Sequence, residues 1–505
     1  MLAKTFSCGL QGVSGYLVEV ESYIQRGMFS FDIVGLPSAA VKESRDRIRA
    51  AIAVSEQAFP FGRVIVNLAP ADVRKDGTGF ELAMAVSILA AKAPNSFSLS
   101  NTALVGELSL DGRIMPVRGL LAMTITAAAN GLKSIIVPKE NALECANVDT
   151  ITIYPAETLS EVINHLSGVK LITPLEHHNY QMQVQNHHYK NDMKYVKGQG
   201  MARKALEIAA AGGHNLLMSG IPGSGKTMLA RCLPSILPPL SYEESMETTL
   251  IHSAAGELSF NSGMMTERPF RAPHHNISMP VMIGGGTRAL PGEVSLAHNG
   301  VLFLDEMPEF PRATLEALRQ PLEDGFVNVT RMNGNNKYQS HCMLVAGMNP
   351  CPCGYLGSKQ HKCTCSAGEI KRYSNRISGP LLDRIDLYVH MDAVSIDEIE
   401  NAEVAEDSKS VRERIIKARK KQADRFEKLG IYCNAQIDQS CADEYLIATP
   451  EAKELLKKAT EKFNISMRSY GRIRKVARTI ADLAEHEQIE VPDMALAIQL
   501  RSTSK

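Results

Sequence analysis

The sequence predicts an α/β protein of several domains, on three observations. Short alternating apolar runs separated by helix-like segments fill the first third. A buried strand turns through a glycine-rich loop into a helix near the middle, and the last quarter reads as helix alone. At 505 residues the chain exceeds what one hydrophobic core serves and suits roughly three domains. Apolar residues make up 44%, enough to build packed cores, so disorder is not expected.

In the first third, strands are expected over Gly15-Tyr-Leu-Val-Glu-Val, Phe29-Ser-Phe-Asp-Ile-Val and Arg63-Val-Ile-Val-Asn-Leu, where apolar residues alternate. Helices are expected over 39–58 and from Gly79 to Ala91, followed by strand, helix and strand from Ile114 to Pro138. This domain spans 1–172. Residues 173–194 are rich in Pro, Gln, Asn and His and read as a linker; its His177, His178, His187 and His188 are better read as solvated than as metal ligands. A second domain runs over 195–392, and a helical one over 393–505, with periodic segments Val411–Leu429, Ala452–Phe463 and Tyr470–His486.

Lys+Arg and Asp+Glu balance at 55 each, so a contact with nucleic acid needs a local basic surface rather than a global field. No charged segment followed by an apolar one opens the chain, and no apolar run approaches a membrane span. Ten cysteines without an export signal suit reduced thiols or a metal site. A cytoplasmic protein without membrane contact is expected.

The central motif is Asn215-Leu-Leu-Met-Ser followed by Gly220-Ile-Pro-Gly-Ser-Gly-Lys-Thr227, then Met228-Leu-Ala-Arg. It is a P-loop in its required strand–loop–helix setting. Gly220, Pro222, Gly223, Ser224 and Gly225 turn backbone N–H groups towards phosphates, at a helix N-terminus running through Met228. Lys226 is placed to neutralise β/γ-phosphate charge and Thr227 to ligate Mg²⁺. Gly300-Val-Leu-Phe-Leu-Asp-Glu306 is a buried strand ending in two acids. Asp305 is assigned to Mg²⁺ and Glu306 to the attacking water, the Walker B roles. A third apolar strand, Cys342-Met-Leu-Val-Ala-Gly-Met, ends in Asn349, where a γ-phosphate or water sensor belongs. ATP and Mg²⁺ are the implied ligands.

Cys351-Pro-Cys353 and Cys363-Thr-Cys365 enclose nine residues. Four thiolates so close suit a structural, tetrahedral Zn²⁺; reduced thiols are the alternative, and His361 is a substitute ligand. Lys359, Lys362, Lys371 and Arg372 nearby are candidate DNA contacts. The basic run Arg412, Arg414, Lys417, Arg419, Lys420, Lys421 reads as a solvated helix face.

With these motifs on the page, the chain resembles the magnesium-chelatase-like AAA+ ATPases of the YifB/ComM type. The resemblance is carried by Phe31-Asp-Ile-Val-Gly-Leu-Pro, Val66-Asn-Leu-Ala-Pro-Ala-Asp, Arg268-Pro-Phe-Arg-Ala-Pro-His-His, Pro291-Gly-Glu-Val-Ser-Leu-Ala-His-Asn-Gly and Ala477-Arg-Thr-Ile-Ala-Asp-Leu. It implies an AAA+ core with a parallel sheet over 195–392, the cysteine insertion at 351–365, and a C-terminal helical lid. It also implies that Arg384, in Gly379-Pro-Leu-Leu-Asp-Arg, is an arginine finger reaching a neighbouring subunit; local pairing with Asp383 or Asp386 is the alternative. Arg468, in Ser466-Met-Arg, is the expected sensor-2 arginine acting in cis, with Arg472 and Arg474 as rivals. Gly284-Gly-Gly-Thr-Arg288 and a hairpin turning at Asn333-Gly334 resemble pore loops, offering Arg288, Arg331 and Lys337 to phosphates.

The first domain is similar to the Lon-protease catalytic fold, through Lys75-Asp-Gly-Thr-Gly79 and Gly131-Leu-Lys-Ser-Ile-Ile-Val-Pro-Lys-Glu-Asn. That fold's serine falls at about Gly79 and its lysine near Leu121 to Met123, so neither member of the dyad is present and no protease activity is expected. As a whole, the resemblance implies a homo-hexameric DNA motor that promotes branch migration of recombination intermediates, including in natural transformation, with recombination proteins as partners. Two other readings stand beside it: a chelatase-type remodelling ATPase, and a DNA-binding scaffold that uses nucleotide as an assembly switch.

Overall fold

A computed structural model describes residues 1–180, 189–259, 261–286, 289–331, 334–358, 361–392 and 405–502. The chain builds two sheets in succession and then a group of helices. The first sheet uses β1 (Leu2–Gln11), β2 (Ser14–Gln25), β3 (Ser30–Val34), β4 (Arg63–Ala69), β5 (Thr102–Leu104), β6 (Ser134–Pro138) and β7 (Thr152–Ala156), in the order β3-β4-β2-β1-β5-β6-β7. The β1–β2 and β2–β4 pairs are antiparallel, and the others are parallel. Both faces are covered. Val18, Val20, Val64, Val66 and Leu68 pack with α1 (Ala39–Val54) and α2 (Glu81–Lys92), while Ala103, Val105, Ile135 and Val137 pack with α3 (Leu120–Ala129).

Every strand and helix expected between Gly15 and Pro138 forms close to its expected bounds, but β1 was not expected at all. Its inner residues explain why. Thr5 and Ser7 are buried hydroxyls, bonded to the Ala83 carbonyl at 3.3 Å and the Leu104 carbonyl at 2.8 Å, so the strand lacks the apolar alternation that would reveal it. Helix α4 (Leu159–Leu166) follows β7, capped by Thr158. The segment expected as a linker lies along the structure: Leu175 N–H donates to Ile153 and His178 N–H to Ala146, and the Tyr180 hydroxyl reaches the Leu240 carbonyl at 2.9 Å. His187 and His188 fall outside the described residues.

The second sheet is wholly parallel. It comprises β8 (Leu216–Gly220), β9 (Phe270–Arg271), β10 (Val301–Leu304), β13 (Met343–Met348) and β14 (Leu387–Met391), in the order β9-β10-β13-β8-β14. Its central strands β8, β10 and β13 are almost wholly apolar because both faces are buried. Between β10 and β13 an antiparallel hairpin, β11 (Phe326–Arg331) and β12 (Gly334–Gln339), stands where a pore loop was expected. Arg331 pairs with Gly334, one residue before the turn expected at Asn333-Gly334; Arg288 and Asn333 lie outside the described residues.

Helices α5 (Gly200–Gly212), α6 (Lys226–Arg231) and α7 (Tyr242–Ala255) flank this sheet, and α8 (Ala367–Ser374) follows the cysteines. The helical remainder, α9 (Ser408–Arg425), α10 (Pro450–Phe463), α11 (Met467–Leu483) and α12 (Val491–Ser502), shares one core with α5 and one face of the sheet. The basic run on α9 is not merely solvated. Arg414 reaches Glu207 at 2.8 Å and Arg419 the Ala210 carbonyl at 3.0 Å, clasping α9 to α5. The two sheets are joined through α3 and α7: Met246 and Leu250 pack on the α3 core, and Gly119 N–H donates to Ser253 at 3.1 Å.

Candidate nucleotide-hydrolysis site

All five strands of the second sheet run the same way, so their carboxyl ends share one edge. That edge collects Gly220–Thr227 after β8, Asp305 and Glu306 after β10, and Asn349 after β13. Gly223 and Gly225 adopt φ of 80° and 90°, a left-handed backbone that glycine enters without strain. Gly220 has no room for a side chain, since a Cβ would lie 2.5 Å from the Met391 carbonyl oxygen.

Lys226 is buried. Its ammonium donates to the carbonyls of Gly220 (2.7 Å) and Ile221 (3.0 Å) and to Asn349 Oδ1 (3.3 Å), bringing the loop and Asn349 together. Burial lowers its pKa, and the charges of Asp305 and Glu306 oppose that shift. Thr227 Oγ1 donates to Asp305 Oδ2 at 2.6 Å, and Asp305 Oδ1 accepts the Glu306 N–H at 3.0 Å. The buried Ser224 hydroxyl has no hydrogen-bond partner among the described residues, which suits a loop whose polar groups bind phosphate oxygens. The set therefore fits ATP. Thr227 and Asp305 would hold Mg²⁺, which when bound neutralises charge on the β- and γ-phosphates.

Three residues at this edge escaped the sequence reading. A Cβ on Gly347 of β13 would stand 3.0 Å from Asp305 Oδ1, so glycine there lets the carboxylate lie against the neighbouring strand; a glycine inside an apolar strand was the available signal. His275 Nδ1 lies 3.8 Å from Glu306 Oε2, its ring against His274 at 4.1 Å between centroids. Gln199, with φ of 54°, donates to the Ser224 carbonyl at 3.4 Å and the Asp392 carbonyl at 2.6 Å, tying the start of α5 to the loop.

Arg384 is not at this edge. It precedes β14, whose Leu387 pairs with Leu216 while Met391 pairs with Gly220, so it lies at the amino end of the sheet, on the order of 13 Å or more from the loop at strand rise. Neither Asp383 nor Asp386 holds it. Its guanidinium pairs with Glu323 and donates to the Arg319 (3.0 Å) and Pro380 (2.7 Å) carbonyls. Burial lowers its pKa, reinforced by the nearby charges of Arg319, Arg468 and Arg472.

Arg468, expected to act in cis, opens α11. The start of α11 packs by the amino end of β14: Arg472 donates to the Arg384 carbonyl at 3.3 Å, and Ser469, next to Arg468, accepts from Arg501 at 3.0 Å. The rivals separate as well. Arg472 is committed to the buried Asp386, where burial opposes ionisation but Arg472 and His214 hold the carboxyl far below its usual range. Arg474 pairs with Asp443 at 2.6 Å, whereas Arg468 is exposed.

The four sulfurs of Cys351, Cys353, Cys363 and Cys365 lie within 4.8 Å of one another, with contacts of 3.3, 3.6 and 3.7 Å. Tetrahedral zinc at about 2.3 Å from each sulfur sets edges of about 3.8 Å, so the donor set fits. Backbone N–H groups of Tyr355 and Thr364 lower the Cys353 thiol to about 6. Lys362, Lys371 and Arg372 are exposed nearby, and Lys359 lies outside the described residues. In the first domain, Gly79 sits beside Val105 and Val117, and Leu121 and Met123 are buried apolar residues.

Three family models match in succession: subunit ChlI of Mg-chelatase over 20–141, magnesium chelatase subunit ChlI over 192–399, and its C-terminal part over 405–501. The competence protein ComM of Haemophilus influenzae is 41% identical, covering 99% of this chain and 97% of its own. This chain belongs to the YifB/ComM family of magnesium-chelatase-like AAA+ ATPases. YifB of Salmonella typhimurium is 38% identical over 98% of this chain and 96% of its own. Likeness to a Lon protease, from Rhizobium meliloti, is confined to 32% of this chain and 22% of that one, at 28% identity. Among the described residues of this family member, no helix is long and apolar enough to cross a membrane.

Proposed function

We propose that this YifB/ComM family member is a cytoplasmic, ATP-driven DNA motor. It works as a homo-hexameric ring and promotes branch migration of recombination intermediates, as in the integration of transforming DNA. The observation that carries the ring is the split of the site between two edges. One edge holds Lys226, Thr227, Asp305, Glu306 and Asn349; Arg384 and Arg468 lie at the other. A cation at the far edge reaches a γ-phosphate only on a neighbouring copy.

Each side chain then has a task. Lys226 and Asn349 hold the terminal phosphate, Glu306 orients water for in-line attack, and Arg384 with Arg468 stabilises transition-state charge in trans. Arg384 must first leave Glu323, so assembly and activation are linked. DNA is the reading for the hairpin and the cysteine module, through Lys337, Lys362, Lys371 and Arg372 and, in the hairpin, Arg331, with backbone contacts that weaken with salt. Zn²⁺ is the reading for the four cysteines. The use in transformation rests on the likeness to the competence protein ComM. The first domain, with glycine where Lon carries its nucleophile, is read as a non-proteolytic scaffold.

The test is unwinding of a labelled three- or four-stranded junction with ATP and Mg²⁺, with Lys226→Ala as control. Resolution of the junction, lost in that variant, is expected. Robust hydrolysis without resolution would overturn the motor and favour chelatase-type remodelling, the second reading, which the names of the matching family models support.

A further inference from the structure

The cysteine module sits against the phosphate loop. Asn349 leaves the end of β13, and Cys351, two residues on, is fully buried. The chain then turns at Gly354, whose N–H donates to the Cys351 carbonyl at 2.9 Å with φ of 84°. A Cβ on Gly354 would lie 2.7 Å from both Cδ and Cγ of Pro222 and 4.0 Å from Cγ of Asn349. The backbone of the module is thus wedged between the phosphate loop and the sensor.

The exit from the module returns to the same place. Ser366, next to Cys365, caps α8 in a reciprocal pair with Glu369. On α8 Tyr373 is buried, and Arg376 just beyond reaches Glu309, three residues after Glu306, at 2.6 Å. Between these ends there is little to hold the loop in shape. Among its described residues from 351 to 366 only Cys351 and Gly354 are buried, so it has no apolar core of its own. A small loop without a core takes its shape from a cross-link, and four converging sulfurs supply one when metal binds.

We propose that the Cys351–Cys353–Cys363–Cys365 module is a zinc-braced strut that presses Gly354 against Pro222 and fixes Asn349 beside Lys226. Metal occupancy then governs ATP binding and basal hydrolysis, before any DNA is engaged. Gly354 and the four cysteines act as positioning residues, through Pro222 and Asn349. The inference deepens the reading of the site as an ATPase and of its cysteines as a zinc site.

The experiment uses the full chain and three readouts: zinc per chain by mass spectrometry, ATP affinity from a fluorescent analogue, and kcat and KM for hydrolysis without DNA. Single-stranded DNA affinity is measured in parallel, with thermal melting to confirm folding. Wild type should carry one zinc. Cys365→Ser should lose it, and Gly354→Ala should keep it. Both should weaken ATP binding roughly tenfold or more and lower kcat at unchanged melting temperature of the main transition.

Gly354→Ala separates the strut from the metal, because its ligands are intact. Zinc-free Cys365→Ser with wild-type ATP affinity and basal kcat would overturn the strut, and loss of DNA affinity alone would make the module a DNA contact. A wild-type protein without zinc would overturn the metal brace, whatever its ATPase. Wild type that binds zinc and ATP but does not hydrolyse would fault the assignment of the site, leaving the affinity of Gly354→Ala to decide the strut.

Discussion

Two glycine-rich loops in this chain open helices in similar ways and end in opposite chemistry. Gly77–Gly79 leads into α2, and Gly220–Gly225 leads into α6. Around the second, charged and polar groups converge from three strands: Lys226, Thr227, Asp305, Glu306 and Asn349. Around the first, a Cβ on Gly79 would meet Val105 and Val117, the one carboxylate bonded to the loop among the described residues is Glu107 on the Thr78 hydroxyl, and Leu121 and Met123 are packed in the core. Lys75, the nearest ammonium in sequence, is buried and spends its proton on the Pro70 carbonyl. A loop's backbone supplies geometry, and only the side chains brought to it from elsewhere in the fold supply reactivity.

The strongest way to break the contrast is to strip the second loop of a group it does not itself contain. Arg384→Ala should lower ATP hydrolysis by about 10⁴-fold while ATP still binds, as expected for a cation supplied in trans. Mixing it with Lys226→Ala should restore part of the rate, because a mixed ring sets an intact loop beside an intact Arg384. Steady-state kinetics on the mixture check this, and normal hydrolysis by Arg384→Ala alone would remove the two-edge arrangement. Next in size, Glu306→Gln should lower kcat by about 10³-fold with ATP affinity retained, the mark of a water-orienting group.

A smaller effect separates the two neighbouring arginines. Arg472→Ala leaves the buried Asp386 with His214 and the Asn215 N–H and should cost about 3 kcal/mol in urea unfolding. The Asp386 carboxyl is depressed in the folded state, so its stabilisation is present above the unfolded value of about 4 and is lost as pH falls towards the folded one. Arg472→Ala should therefore narrow the stability gap to wild type as pH falls below about 4. Arg468→Ala, at an exposed residue, should leave unfolding unchanged and lower kcat instead.

These contrasts also mark what the sequence could disclose. Each half of the ATP site was legible because its chemistry is local: a strand of four to six apolar residues ends and the functional side chain follows at once, as at Asp305 and Asn349. What stayed hidden depends on contacts distant in the chain. The strand β1 conceals its face behind Thr5 and Ser7, whose hydroxyls are satisfied by partners 78 and 97 residues away. His275 has no motif pointing to Glu306, because only the pairing of β9 with β10 brings them together. Which sheet edge the start of α11 faces is likewise beyond what sequence order discloses. The wedge of Gly354 on Pro222 joins two turns, neither of which predicts the other.

The smallest expected effect tests the barren loop directly. A Cβ at Gly79 would make only ordinary contacts, 3.6 Å to Val117 and 3.9 Å to Val105, so Gly79→Ser should fold and melt as wild type does. It should also show no cleavage of unfolded protein or fluorogenic peptide. A serine hydroxyl is a weak nucleophile until a base takes its proton, and the residues that would supply one are the apolar Leu121 and Met123. Adding Leu121→Lys places an amine in the α3 core, where burial without a partner should destabilise the domain before it creates a dyad. Peptide cleavage by Gly79→Ser alone would mean that a base is already within reach, with Glu107, bonded to the neighbouring Thr78, the first candidate, and the two loops would differ by one atom group rather than by their surroundings.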